Sequence, residues 1–145
     1  MLQYRLTSQN LVLTETNINE RVKYTANTGM VLIDTANSNT DGTGTLGTVI
    51  IGASNGTFVQ TLTIKGIATD SKGMVRLFFV DITGLIICLI DEIEIPGTSQ
   101  DAVSPAFEIT YELNFCLAAG CTLLASTQTG DDFIITAEGL DYSYP

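Results

Sequence analysis

The side chains that could do chemistry in this sequence are carboxylates and three cysteines, because the chain contains no histidine. The lack of histidine removes the commonest general base and zinc ligand, and it excludes Ser-His and Cys-His nucleophiles. No glycine-rich stretch has the spacing of a P-loop or a dinucleotide-binding turn. We therefore expect no catalytic residue, no metal ion and no cofactor, and we predict that the protein is not an enzyme.

Two pairs of carboxylates remain as candidates for acid–base chemistry, Glu108 with Glu112 and Glu92 with Glu94. Each pair has even spacing on a predicted strand and shares one face, and two carboxylates can hydrolyse a glycosidic bond without histidine. One member would need an apolar pocket to raise its pKa, and the spacing shows none. The same pattern is typical of a solvated strand face, which is the interpretation we favour.

Residues 37–42 match the first half of a calcium-binding loop. Asn37, Asn39 and Asp41 would supply oxygen ligands at positions one, three and five, and Gly42 follows at position six. Position twelve is Thr48, which has no carboxylate to bind the ion. We interpret the stretch as a turn between strands.

The three cysteines, Cys88, Cys116 and Cys121, are odd in number and show no CxxC spacing. Each lies in an apolar stretch, so we predict three free thiols that are buried as small hydrophobic groups. Cys116 and Cys121 flank a predicted turn. The N-terminus lacks the basic start and apolar core of a signal peptide, so we expect folding in a cytoplasm, where a disulfide is not favoured.

Extended segments must position these residues, since no stretch repeats its apolar residues with a helical period. Turn signals every eight to twelve residues separate predicted strands over residues 30–34, 46–53, 58–68, 73–82, 85–95, 107–115, 121–127 and 132–140. This spacing predicts an all-β fold, an antiparallel β-sandwich of about eight strands, with a jelly roll as the favoured arrangement. The pattern alone does not determine the order of the strands.

Several segments carry more detailed expectations. Asn55-Gly56 is a strong signal for a short hairpin. Residues 73–82 and 85–95 are apolar on both faces, which predicts that both lie in the middle of a sheet.

Side-chain alternation predicts which faces are buried. Phe58, Leu62 and Ile64 are expected to share one face of their strand. Every second residue from Phe107 to Phe115 is apolar, which predicts a strand with one solvated face.

Residues 1–28 differ from the remainder because they are rich in Thr, Asn and Gln. These residue types compete with the helical backbone for hydrogen bonds, so we predict an extended N-terminal arm that holds one strand at most. Residues 29–145 then form the sandwich domain.

The charge is low and unevenly distributed. Charged residues make up 15 % of the chain and the net charge is −10. All six basic residues lie within residues 1–76 with five carboxylates, whereas eleven carboxylates and no basic residue follow. Such asymmetry favours oriented docking, although an acidic surface could also simply keep copies apart.

Two classes of partner are not expected. The basic residues are scattered rather than clustered, which disfavours nucleic acid. The longest apolar run, residues 85–90, is far shorter than the ~20 residues that span a membrane.

Aromatic and basic residues near the chain ends are the candidates for a protein interface, since exposed tyrosine is enriched in such contacts and the chain has no Trp for a sugar platform. The candidate interface residues are Tyr4, Arg5, Arg21, Lys23, Tyr24, Tyr142 and Tyr144.

Five pieces of the sequence, taken in order, carry a family resemblance: Gly73-Met74-Val75-Arg76-Leu77-Phe78-Phe79, Glu94-Ile95-Pro96, Pro105-Ala106-Phe107-Glu108, Leu124-Ala125-Ser126-Thr127-Gln128 and residues 133–139. Their order and spacing resemble the small capsid-associated auxiliary, or decoration, proteins of tailed bacteriophages, among them those of the crAss-like group. The resemblance covers residues 73–139.

The resemblance implies a structural virion protein on the capsid surface. Such a protein binds the major capsid protein, often as a homotrimer, and stabilises the head by protein–protein contacts. Two alternatives stay open: a receptor- or carbohydrate-binding module of a phage fibre, and a small hydrolase that uses carboxylates.

Overall fold

The computed structural model describes residues 23–85 and 87–143, which form eight β-strands and no helix. The strands are β1 (Lys23–Ile33), β2 (Gly47–Ile51), β3 (Thr57–Gly66), β4 (Gly73–Val80), β5 (Ile87–Ile95), β6 (Glu108–Leu117), β7 (Thr122–Thr127) and β8 (Phe133–Ser143). The described residues therefore contain no helix that could cross a membrane.

The strands form two four-stranded antiparallel sheets, which we call sheet A and sheet B. Sheet A has the order β1-β8-β3-β6, and sheet B has the order β2-β7-β4-β5. Strand pairing is nested, because the first strand pairs with the last, the second with the seventh, the third with the sixth and the fourth with the fifth. The prediction of an all-β antiparallel sandwich with eight strands is confirmed.

One apolar core lies between the two sheets. Alternate side chains of the central strands point into it, including Leu62 and Ile64 of β3, Ile135 of β8, Leu77 of β4 and Leu123 of β7, all fully buried. Since both sheets contribute to one contiguous cluster, their inner faces are packed directly against each other.

Sheet B is also covered on its outer face. Phe78 and Val80 are buried but do not belong to the inter-sheet core. Val80 pairs with Ile87 of β5, and Gly42 of the β1–β2 loop lies against the Ile87 side chain. The loop thus covers part of the outer face, which explains why β4 is apolar on both sides.

The β1–β2 loop is held by the Asn37 side chain. Its amide nitrogen donates to the backbone oxygens of Thr43 and Thr45, each at 2.9 Å, and its oxygen accepts the Asn39 backbone N–H at 3.0 Å. The Asn37 backbone N–H also donates to the Thr127 oxygen of β7 at 2.8 Å. The loop is therefore anchored to sheet B.

The connection at Asn55-Gly56 differs from the predicted hairpin. Gly56 has a φ of 93°, as expected for a turn, but β2 and β3 belong to different sheets. The prediction of a hairpin was wrong because local turn chemistry does not determine whether the next strand pairs with the last one or crosses the core.

Two predictions of strand environment also need correction. A register shift between Val59 and Thr61 turns Val59 inward, where it is fully buried, and leaves Phe58 on the outer face. The prediction that β5 lies in the middle of a sheet was wrong, because β5 is the edge strand next to β4.

The predicted boundary of the N-terminal arm also moves. β1 begins at Lys23, and residues 23–28 pair with residues 138–143 of β8. These six residues therefore belong to the sandwich and not to a free arm. The remainder of the predicted arm, residues 1–22, lies outside the described residues.

Candidate protein-binding surface

The outer face of sheet A carries large apolar side chains at its β1 side. Strand alternation directs Tyr24, Met30 and Leu32 outward, and they are 60 %, 64 % and 50 % exposed. The β8 residues that follow the same alternation are Ile134, Leu140 and Tyr142. We call these six residues the β1–β8 patch. They form two apolar groups, one around Tyr24 and one around Leu32, which the polar pair Thr28 and Glu138 separates. Exposed apolar surface of this kind marks interaction sites.

Two predicted interface residues meet in the β1–β8 patch. Tyr24 and Tyr142 are partners in the β1–β8 ladder, and their ring centroids are 5.6 Å apart at an interplanar angle of 62°. Lys23 is exposed next to Tyr24. The remaining predicted interface residues, Tyr4, Arg5, Arg21 and Tyr144, lie outside the described residues.

The β6 side of the same face is polar. The Lys65 ammonium group lies 2.8 Å from the Glu108 carboxylate, and the hydroxyl groups of Thr63 and Thr110 are 2.7 Å apart. The outer face of sheet A therefore changes from apolar at β1 to hydrogen-bonded and charged at β6. A partner that buries apolar surface would contact the β1 side.

The two ends of the sandwich also differ. At one end, Ile51 is the last residue of β2, and Ile82 and Leu85 lie in the β4–β5 loop with Asp81; the three apolar side chains are exposed. The loops at the other end carry five aspartates, and we call it the acidic end: Asp34, Asp70, Asp101, Asp131 and Asp132. Charge is thus unequal along the length of the sandwich.

Asp70 is the buried member of the acidic end, at 4 % exposure. The Thr98 hydroxyl donates to its Oδ2 at 3.3 Å, whereas Oδ1 has no hydrogen-bond partner among the described residues. Burial raises the pKa of Asp70, and the charge of nearby Asp131 adds to this shift. No group of three or more acidic or cysteine side chains in the described part of the chain could hold a metal ion.

The carboxylates considered for hydrolysis are mostly in ion pairs. Glu92 accepts from Arg76 Nε at 2.8 Å, and the Lys72 ammonium group lies 3.2 Å from Glu94. Glu108 pairs with Lys65, and Glu112 is exposed on the same face. Glu108 and Glu112 thus lie on the solvated strand face favoured from the sequence, whereas Glu92 contacts the buried Arg76 side chain.

Glu108 also borders an open groove of about 620 Å³ at one corner of the sandwich. Gln100 and Pro105 of the β5–β6 loop also line it, and Ile67 and Ile134 contribute apolar surface. The groove is large enough for a small ligand, but none of its lining residues is aromatic.

The predicted burial of the cysteines was correct only for Cys121. Cys88 and Cys116 are exposed, and all three thiols are free. Cys116 follows the outward alternation of β6 and pairs with Phe58, whereas Cys121 precedes β7 of the other sheet. The local apolar sequence around Cys116 did not show which face of an edge strand it would occupy.

Met30 and Leu32 are exposed apolar residues that were not predicted from the sequence. They lie at the even-numbered positions of β1, where Tyr24 and Ala26 are also found, but the predicted strand began only at residue 30. Alternation over all eleven residues would have shown the apolar outer face.

A comparison with protein-family models finds no match to this sequence, and no curated protein matches it.

Proposed function

We propose that this protein is a structural component of a virus particle, an auxiliary or decoration protein that binds the major capsid protein lattice at the capsid surface. The observation that carries the proposal is the β1–β8 patch, an exposed apolar area on a sandwich whose other outer face is partly covered by its own loop. The resemblance of residues 73–139 to capsid-associated proteins of tailed bacteriophages supports the same role.

The nested strand order supports the further proposal that the sandwich is a jelly roll. Jelly rolls are two-sheet antiparallel folds of eight strands that occur in viral capsid and lectin domains. The fold does not determine function, so the capsid role depends on the surface and the resemblance.

In the proposed mechanism the protein acts through adhesion alone. Each contact with the lattice would bury about 1,600 Å² of combined surface, with Tyr24 and Tyr142 as its aromatic anchors. Many copies on one lattice would add these contacts and stabilise the head. The polar β6 side, with the Lys65–Glu108 pair, would lie at the rim.

Binding to empty capsids tests the proposal. Purified full-length protein would be mixed with capsids of a crAss-like phage that lack their auxiliary protein, and bound protein would be measured after sedimentation. We expect Tyr24→Ser to weaken binding by at least about tenfold, since an exposed aromatic anchor is lost. Thr110→Ser on the polar side is the matched control. Failure of the unmodified protein to bind, or equal binding by Tyr24→Ser, would reject the role.

The groove beside Lys65 and Glu108 favours a second candidate, a receptor- or carbohydrate-binding module of a phage fibre. Its volume suits a small polar ligand, and lectin domains share the jelly-roll architecture. A glycan array at high protein concentration tests this candidate. A specific hit that is lost in Gln100→Ala would favour it over capsid binding.

A further inference from the structure

We propose that the free edge of β1 is a self-association site, where β1 of a second copy pairs antiparallel across a two-fold axis and joins two A sheets into one. Among the described residues, the backbone of β1 forms hydrogen bonds only with β8. Its outer edge therefore presents a row of free N–H and C=O groups along eleven residues.

The other three edge strands are protected against such pairing. β2 is five residues long, and its ladder contains a register shift. β5 carries Asp91, Glu92 and Glu94 and also has a register shift. Short length, charge and irregular register are the devices by which natural proteins block edge-to-edge contact.

The β6 edge is blocked in the same way. It carries Glu108 and Glu112, its ladder to β3 shifts register, and Asn114 has a φ of 49°. β1 has an unbroken register from Lys23 to Ile33 and a single charge, at its first residue. Among the four edge strands β1 is therefore the least protected, because the lysine at its first residue is its one protective feature.

The side chains of β1 are self-complementary about Thr28. With Thr28 on the two-fold axis, Tyr24 faces the partner's Leu32, and Ala26 faces the partner's Met30. All three large exposed apolar side chains of β1 thereby gain an apolar neighbour. A shift by two residues in either direction removes Tyr24 or Leu32 from this arrangement, so the pattern favours one register.

The inner side of β1 fits the same register. β2 lies beneath the second half of β1, because a Cβ on Gly29 would meet Val49, and one on Gly47 would meet Val31. Lys23 and Thr25 belong to the first half and are exposed. In the dimer, the first half of each β1 lies beside the second half of the other. The β2 strands of the two copies therefore lie beneath different parts of the paired β1 strands and do not occupy the same space.

The expected contact is substantial. All eleven residues of β1 would face a partner residue in this register, and they would form about eleven backbone hydrogen bonds, close to the roughly ten of a typical protein interface. The pair is a dimer, unlike the trimer that the family resemblance implies. It does not depend on capsid binding, so a dimer that ignores capsids would reject only the capsid role.

The mass of the full chain in solution tests the pairing. Sedimentation equilibrium should give twice the 15.5 kDa chain mass at micromolar concentration. Thr28→Lys places two like charges on the axis and should weaken the dimer at least about tenfold. Gln60→Lys adds the same charge at an exposed position of β3 and is the matched control, with the mass of the unmodified protein.

A charge exchange tests the register. Tyr24→Glu and Leu32→Lys should each weaken the dimer, whereas the double variant should restore it because opposite charges then face each other twice. Three results would overturn the proposal. The unmodified protein could be monomeric or trimeric, Thr28→Lys could leave the dimer intact, or the double variant could dimerise more weakly than both single variants. Pairing of β1 with an added capsid protein while the chain alone stays monomeric would also overturn it.

Discussion

The Asp70 carboxyl group lies inside the acidic end, although it is one of five aspartates there that the sequence does not distinguish. Gly66 approaches it so closely that a Cβ at that glycine would meet Oδ2. Its neighbour Asp131 is used differently, since its Oδ2 accepts the Ser71 backbone N–H at 2.9 Å. Two aspartates at one end thus differ in role, because one is enclosed and the other forms a loop contact in solvent.

This difference gives a prediction about pH. Because the folded-state pKa of Asp70 is raised, its favourable contribution is present below the ordinary value of 3.8 and is lost as the pH rises through the folded-state pKa. Asp70→Asn should therefore raise the free energy of unfolding at pH 7, and the gain should disappear near pH 3. Urea unfolding of both proteins at the two pH values measures it.

Asp101→Asn is the control, with the opposite sign. Backbone N–H groups of Val103 and Ser104 donate to Asp101, each at 2.8 Å, and hold the pKa of this carboxyl below its usual value. Its contribution is present at pH 7 and is lost as the pH falls through the folded-state pKa. Asp101→Asn should therefore lower stability at pH 7. A stability loss at pH 7 for Asp70→Asn would contradict the role assigned to its burial.

At the scale of elements, the two outer sheet faces have different surroundings. On sheet B, Phe78 is fully buried on the side covered by the β1–β2 loop. On sheet A, Phe58 lies on the outer face, half-buried between Leu140 and Cys116. In the sequence both are phenylalanines within predicted strands. The burial of their side chains differs because a loop covers the outer face of sheet B and not that of sheet A.

Replacement of these two residues should therefore have unequal effects. Phe78→Ala should lower the free energy of unfolding by about 3–5 kcal/mol, as for a buried core phenylalanine. Phe58→Ala should cost less, about 2 kcal/mol, because part of its ring is already in contact with water. Urea unfolding compares the two, and equal losses would show that the loop does not shield the outer face of sheet B.

For the whole molecule, the important feature is that the end of the chain forms the middle of a sheet. β8 lies between β1 and β3, and Phe133, Ile135 and Ala137 contribute to the core. The fold also brings the two differently charged halves of the sequence together, since Lys65 and Arg76 of the first half form ion pairs with carboxylates of the second half. The fold turns a difference between halves into a difference between ends.

A truncation tests this arrangement. A chain that ends at Gly130 lacks β8 and should show no cooperative thermal unfolding, because β1 loses its partner strand and the core loses one wall. A chain that ends at Ser143 keeps every described strand and is the control, with a cooperative transition expected. Circular dichroism during heating measures both, and a cooperative transition in the shorter chain would contradict the central role of β8.

The number of strands, their antiparallel character and the solvated face of β6 followed from the sequence, because turn residues and two-residue alternation are local. The positions of Tyr24 and Tyr142 at a surface also followed from residue type. Their contact did not, since it joins residues more than a hundred positions apart and depends on the pairing of β1 with β8. A search of one strand at a time cannot detect that pairing.

What the tertiary structure alone decided is which strands are edges, which face a loop covers, and where a register shift reverses alternation. The predictions for Asn55-Gly56, Phe58 and Cys116 failed for that reason. Each depends on the neighbour across the sheet or across the core, and no interval of contiguous residues encodes that neighbour. Whether β1 is an edge strand is decided in the same way, because it depends on whether another strand of the sheet pairs with its second side.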